Sequence, residues 1–312
     1  MVGFDIGGTK CAVCVGIQER NGLKIVGKQK IETDLSVSPY VMLERLCHLA
    51  EQLTDDLSSI GISCGNPLDC QHGIILSPPN LPGWDHVRIV DYLKERYHGS
   101  VSLENDANAC ALAEWKFGAG RGCNNMIFLT FGTGMGAGLI LNGQLYRGKS
   151  GNAGEIGHIR MQPFGPVGYG KMGSFEGFAS GGGIAQLARS AALELLQAGK
   201  ATTYCQSIEE LPFITAEKVA HAARAADPTA QRIYRICGEM LGQELAAMID
   251  LLNPERIVLG SIFERAGDLL EESMWDVLKR EALVASLQDV QILPAELGEF
   301  LGDYAALTVA CD

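Results

Sequence analysis

Three stretches of this sequence carry side chains that could do chemistry. In the first, Val101-Ser102-Leu103 runs straight into the polar cluster Glu104-Asn105-Asp106-Ala107-Asn108, and a helical pattern follows through Cys110, Ala111, Leu112, Ala113 and Trp115. This reads as a strand ending in a carboxylate at a strand-to-helix junction, the place where ligands of open α/β folds sit. Asp106 can cap the helix or act as a base on a bound hydroxyl. The second stretch is Asp5-Ile6-Gly7-Gly8-Thr9-Lys10. Its glycines would let backbone N–H groups approach a phosphate, Thr9 offers a hydroxyl, and Asp5 can hold a magnesium ion directly or through water. A purely structural hairpin turn is the competing reading. The third, residues 148–158, is a glycine-rich loop whose functional side chains are Glu155 and His158, with Glu176 downstream. Such a grouping suggests a polar pocket, although a single His often has a structural role.

The elements that must position these residues follow from periodicity and punctuation. Residues 2–6 read as a strand, 11–17 as its return, and 23–30 as a third strand after the turn signal Asn21-Gly22. Helical spacing covers residues 38–53, a strand spans 57–63, and Cys64-Gly65-Asn66-Pro67 is a loop signal. The Pro-rich stretch 77–85 presents Asn80 and Trp84, which would suit a polyhydroxylated ligand or, alternatively, a loop pinned by its Trp. A helix over 87–97 leads to the Asp106 strand. The opening plan then recurs: an apolar strand over 125–131, the turn Gly132-Thr133-Gly134-Met135-Gly136-Ala137-Gly138, and a strand over 139–141. Two such hairpins imply two related α/β lobes that would grip a nucleotide's phosphates from both sides. Residues 162–173 read as a loop. Helices are expected over 184–198, 215–226, 228–252 (an apolar core stripe), 269–283 and 304–311, and strands over 256–259 and 290–293. The domain division expected is a small N-terminal domain, residues 1–117 plus 294–312, and a large one, 118–293.

Composition bounds the class. A hydrophobic content of 47% with 20% charged residues fits a soluble globular enzyme. The net charge of −12, with no large basic run, argues against a nucleic-acid partner. The 38 glycines fall in clusters, as expected where backbone approaches a ligand. Ten cysteines show no framework spacing, and Cys11 and Cys14 lie three apart on a strand, on opposite faces, so they read as small apolar residues in a reducing compartment. No targeting segment and no membrane span is expected, and the location expected is cytoplasmic.

Taken together these residues resemble the ROK family of repressors and sugar kinases, within the actin-like ATPase superfamily. The motifs are Asp5-Ile6-Gly7-Gly8-Thr9-Lys10, Pro79-Asn80-Leu81-Pro82-Gly83-Trp84, Glu104-Asn105-Asp106-Ala107-Asn108, Gly132-Thr133-Gly134-Met135-Gly136, Gly154-Glu155-Ile156-Gly157-His158 and Ile257-Val258-Leu259-Gly260, in family order along nearly the whole chain. The resemblance implies a two-lobed actin-like ATPase (ribonuclease H-like) α/β fold with the active-site cleft between the lobes. It also implies ATP-dependent phosphorylation of a hexose at the 6-hydroxyl. Glucose is the first expectation, with allose, mannose, fructose or an N-acetylhexosamine as alternatives. By analogy Asp106 is the general base, and Gly65, Asn66, Asn80, Asn105, Asp106, Glu155, His158 and Glu176 bind the sugar. Gly7, Gly8, Thr9, Lys10, Gly132, Thr133, Gly134 and Gly260 would bind ATP, with Mg²⁺ at Asp5. The partners implied are the sugar, ATP and a second copy of the chain in a homodimer.

Three departures from the family pattern matter. The zinc site of many members uses the His of the Gly-Glu-x-Gly-His loop and three Cys. Here those Cys places hold Val167, Tyr169 and Ser174, so zinc is expected to be absent and packing by Tyr169 and Phe175 is expected to order the loop. Gly65-Asn66 stands where the family often has Pro-Gly, and Gly260-Ser261 replaces a Gly-Gly near the adenosine site. A sugar-sensing repressor of the same family would need a helix-turn-helix, and none fits. A non-catalytic filament protein would have no use for Asn80, Glu155, His158 and Glu176 in one pocket.

Overall fold

The computed structural model describes residues 1–19 and 22–311, so Asn21 of the expected turn lies outside the described residues. Within them are two five-stranded sheets and two two-stranded ribbons. The chain divides into two compact units, one made of Met1–Asn124, Gly138–Ala153 and Glu296–Asp312, the other of Asn125–Ala137 and Gly154–Ala295.

The first unit begins with β1 (Val2–Ile6), β2 (Lys10–Glu19) and β3 (Gly22–Glu32), an antiparallel run. Helix α1 (Pro39–Leu53) starts at Ser38, whose hydroxyl accepts the Val41 N–H, with Pro39 in the first turn where a missing N–H costs nothing. Then come β4 (Ser59–Cys64), the short ribbon β5 (Leu68–Asp69) and β6 (Ile74–Ile75), helix α2 (Ile89–Tyr97), β7 (Ser100–Asn105) and α3 (Asp106–Phe117). The sheet order is β3-β2-β1-β4-β7, with β1, β4 and β7 parallel. Ile60 and Ile62 are fully buried on one face of β4, and Gly61 is covered on the other, as a central parallel strand requires. Helix Leu301–Ala310 covers part of that sheet at very close range. A Cβ on Gly61 would stand 2.1 Å from the Ala306 carbonyl oxygen, so only glycine admits the helix there. The register pairs Ile6 with Cys64 and Cys64 with Asn105. All three parallel strands therefore end level, and Gly7, Gly65 and Asp106 leave them side by side.

A buried carboxylate ties the unit's segments together. Glu114, with no exposed surface, accepts N–H bonds from Ala119 (2.7 Å), Glu296 (3.0 Å) and Leu297 (2.9 Å). It thus anchors the return of the chain onto α3.

The second unit has parallel strands Met126–Leu129, Arg256–Leu259 and Gln291–Pro294, with Arg256–Leu259 central. Helix Pro228–Leu252 starts at Asp227, whose carboxylate accepts the Thr229 and Ala230 N–H groups, and ends at Asn253 in the left-handed region. Gly238 and Gly242 let helix Glu271–Glu281 pack tightly on it, since a Cβ on Gly242 would lie 2.5 Å from the Met274 carbonyl oxygen. The helix expected over 269–283 stops at Glu281, because Ala282 turns extended; a separate helix, Val284–Asp289, follows. The expected loop at 162–173 contains a ribbon, Val167–Gly168 with Lys171–Met172. Its two turn residues, Tyr169 (φ 44°) and Gly170 (φ 73°), both have positive φ, the pattern of a type I′ hairpin.

Glu244, on the Pro228–Leu252 helix, is only 4% exposed and has no hydrogen-bond or ion-pair partner among the described residues. Burial pushes its carboxyl from the ordinary 4.5 up to about 7. Between those values the folded chain holds a proton that the unfolded chain has released, so stability falls as pH rises through the window and levels off above it. Glu244→Gln should remove that loss. Urea unfolding should find the variant more stable by up to about 3 kcal/mol at pH 8, with the gap closing at pH 5. A constant gap across pH would contradict the assignment.

Candidate active site

In the first unit the chemistry gathers where the parallel strands end. Gly7 N–H closes the turn onto the Lys10 carbonyl (3.2 Å). A Cβ on Gly8 would lie 2.1 Å from the Asn80 carbonyl oxygen, so this turn rests on the main chain of the Pro-rich loop and brings Asn80 to it. Thr9, Lys10 and the Asn80 residue are exposed. Trp84 is not available to a ligand: it is 2% exposed and part of the core, so its apolar ring pins the loop instead.

Asp106 is the first residue of α3 and is exposed, but it does not cap the helix. Asn105 does, its Oδ1 accepting from the Ala107 (3.0 Å) and Asn108 (3.3 Å) N–H groups. The alternative of Asp106 as cap is therefore corrected, because a strand ending at Asn105 puts that residue in the extended conformation a cap needs. Asn105 Nδ2 donates to Asp106 Oδ1 (3.0 Å), which also accepts the Ala107 N–H (2.8 Å). Asp106 Oδ2 lies on the Gly65 side, 3.8 Å from where a Gly65 Cβ would be. Asn66 follows, half-buried.

Beneath this corner lies Glu104, whose role the sequence reading missed. Its side chain is buried. Oε1 accepts the Asn105 N–H (3.0 Å) and Asn108 Nδ2 (2.9 Å), and Oε2 accepts Arg147 Nε (2.6 Å). A Glu sandwiched between an apolar strand and a helix cap was the available signal, but nothing local pointed to Arg147.

Asp5 is half-buried one residue before the end of β1. Burial, then the charges of Asp106 and Asp303, push its carboxyl up to about 6, against the pull of Lys28 and Lys30. Asp303 itself pairs with Lys28. This excess of negative charge fits a divalent cation. Among the described residues no three His, Cys, Asp or Glu side chains would hold a metal by themselves. One carboxylate completed by a substrate's phosphates is the usual arrangement for Mg²⁺.

In the second unit the turn at Gly132-Thr133-Gly134 is bracketed on two sides. The Gly132 and Thr133 carbonyls accept the Gly181 (2.8 Å) and Gly182 (3.1 Å) N–H groups at the start of helix Gly181–Gln197. Gly260 N–H reaches the Leu129 carbonyl (3.0 Å), and a Cβ on Gly132 would lie 3.8 Å from Ser261 Oγ. Ser261 takes a positive φ of 52°, held by a capping box with Glu264. Glu176 Oε2 accepts the Met135 N–H (3.0 Å), and a Cβ on Gly134 would stand 2.7 Å from it, so Glu176 lies against the glycine turn. Gly157 packs on the Met135 carbonyl, while Glu155 and His158 are exposed.

Residues 158–176 are ordered without thiols. Ser174 caps helix Phe175–Phe178 through the Gly177 N–H (3.2 Å), Phe175 is fully buried, and Arg160 and Lys171 donate to the Met172 and His158 carbonyls. Tyr169, expected to share this packing, is 65% exposed and meets the His158 ring edge-on at 6.2 Å. The type I′ turn directs it outward.

The architecture is a mixed α/β, actin-like ATPase fold. The chain belongs to the ROK family, which it matches over residues 1–311. It is 33% identical over 312 aligned positions to a glucokinase of Halalkalibacterium halodurans, covering 96% of this chain and 92% of that one. A ROK family glucokinase from Streptomyces griseus, solved in complex with glucose and AMPPNP, superposes with a TM-score of 0.77 at 29% identity, over 98% of this chain and 97% of that one. The DNA-binding transcriptional dual regulator NagC of Escherichia coli is 32% identical over 210 residues, 67% of this chain and 50% of that protein.

The two jobs of Asn105 can be separated. Asn105→Ala should lose about 1 kcal/mol of stability with the cap, whereas Asn105→Ser, which caps as well and adds no charge beside Asp106, should stay within about 0.5 kcal/mol of wild type. Equal losses in urea melts would show that the cap is not what Asn105 contributes.

Proposed function

We propose that this protein is an ATP-dependent hexose kinase, with glucose as the first-choice substrate, in which Asp106 accepts the proton of the 6-hydroxyl. The observation that carries this reading is the level ending of β1, β4 and β7, which sets the Gly7-Gly8 turn, Gly65 and Asp106 next to one another. The sugar oxygen attacks the γ-phosphorus, the bond from that phosphorus to ADP breaks, and the hydroxyl proton passes to the Asp106 carboxylate. With Oδ1 held by two N–H donors, the carboxylate is oriented before the substrate arrives, as positioning-dominated phosphoryl transfer requires.

Gly7, Gly8, Thr9 and Lys10 are assigned to ATP in the first unit, and Gly132, Thr133, Gly134 and Gly260 in the second. Gly65, Asn66 and Asn80 are assigned to sugar hydroxyls, with Asn105 acting mainly by fixing Asp106. In the second unit Glu155, His158 and Glu176 are assigned to the sugar, Glu176 through the oxygen that does not bind Met135. Asp5 is assigned to Mg²⁺, which would neutralise charge developing on the transferring phosphoryl group. A homodimer is proposed as well.

The relation to NagC supports a second reading, a sugar-binding regulator without turnover. ATP-to-ADP turnover with Mg²⁺ and a panel of hexoses separates the two. A kinase shows sugar-dependent turnover, and Asp106→Asn should lower kcat by about 10²- to 10⁴-fold with the fold intact, since Asn105 and not Asp106 is the cap. His158→Gln should raise KM for the sugar more than it lowers stability. Folded protein that binds hexose yet turns over nothing would favour the regulator.

A further inference from the structure

A cavity of 630 Å³ in the first unit lies apart from the glycine turn and Asp106. Val101, Ser102, Leu103 and Glu104, four consecutive residues of β7, all line it. Successive strand side chains point to opposite faces, so a cavity touching all four runs along the strand's edge, not over one face. β7 is an edge strand of its sheet, and an edge presents backbone N–H and C=O groups outward. Val90, Leu112 and Val309 add an apolar floor, His72 lies at the edge, and Lys94 and Arg147 form a cationic rim.

The charges there are not balanced within the protein. The acid Asp91 is bonded to Arg88 (2.7 Å), and His72 to Asp69 (2.8 Å). Glu104 is matched by Arg147, but only through Nε, which leaves both terminal amino groups of that guanidinium without a protein partner among the described residues. Lys94 has no ion pair there either. A cationic rim of this kind in a chain of net charge −12 suits an anion. A guanidinium fork matches two oxygens of a phosphate better than an ammonium can. The volume is within the range of small-molecule sites.

We propose that this cavity binds a small soluble phosphate monoester. The terminal amino groups of Arg147 and the Lys94 ammonium hold the phosphate, the edge of β7 meets polar groups of the ester, and the apolar floor takes its carbon skeleton. Because Arg147 Nε also holds Glu104, and Glu104 holds Asn105 and Asn108, occupancy would tighten the corner that carries Asp106.

The test is calorimetric titration of the full chain with glycerol 3-phosphate, with glycerol as the neutral control. Wild type should show saturable binding and glycerol none. Lys94→Gln and Arg147→Lys should each weaken binding by about tenfold, the effect of one charge-assisted contact. Thr9→Ala, at the other phosphate-binding candidate, should leave it unchanged. Lys94 is exposed, so its variant tests the site even if the Arg147 variant folds poorly. No saturable binding, or binding lost in Thr9→Ala and kept in Lys94→Gln, would overturn the proposal.

Discussion

The level register of three parallel strands is the constraint on which the first unit's chemistry depends. Ile6, Cys64 and Asn105 sit in one row. Because side chains alternate along a strand, slipping β7 by one residue would exchange its faces, moving Leu103 out of the core and the exposed Ser102 into it. Glu104 would then leave the position from which it meets Arg147. The register is kept by burial of Val101 and Leu103 on one side of the alternation, and by glycines at Gly3 and Gly61 that let helix Leu301–Ala310 lie directly on the sheet. The position of Asp106 is thus a by-product of core packing, and no loop has to be ordered to create it.

The fold also handles buried carboxylates in several different ways. Glu114 is matched by three backbone N–H groups, Glu104 by backbone, amide and guanidinium donors, and Asp303 by Lys28. Each of these is a satisfied group whose loss would leave donors or a cation stranded. Asp5 and Glu244 differ, and burial raises both. Asp5 stands in the field of two further acids, so a bound cation would relieve a repulsion that already exists. Glu244 has no such company, and its burial is a stability cost.

Much of this could be read from residues close together in sequence. Ser38 with Pro39 and Asp227 with Pro228 announce helix starts, and the glycine pairs after short apolar strands announce turns, because caps and positive-φ turns are local devices. What escaped is long-range or depends on which of two adjacent polar residues the backbone favours. Arg147 meets Glu104 across 43 positions, and Glu176 meets Met135 across 41; no local pattern encodes either. Asn105 and Asp106 are both good caps, and the choice falls to where β7 stops pairing. Trp84 suited either a ligand or the pinning of its loop, and burial decided for the pin. The turn at Tyr169-Gly170 was hidden because a β-hairpin with strands of two residues has no periodicity to detect.

The close seating of helix Leu301–Ala310 on β1 and β4 bears on how the protein is made. On the ribosome, β1 emerges well before the helix that covers it, which is synthesised only after all the intervening chain. Until then Gly3 and Gly61 lie under an uncovered apolar surface. This sheet cannot be completed before that helix has been made, so it depends on a contact of very large sequence separation, the kind that slows folding and leaves surface open to aggregation.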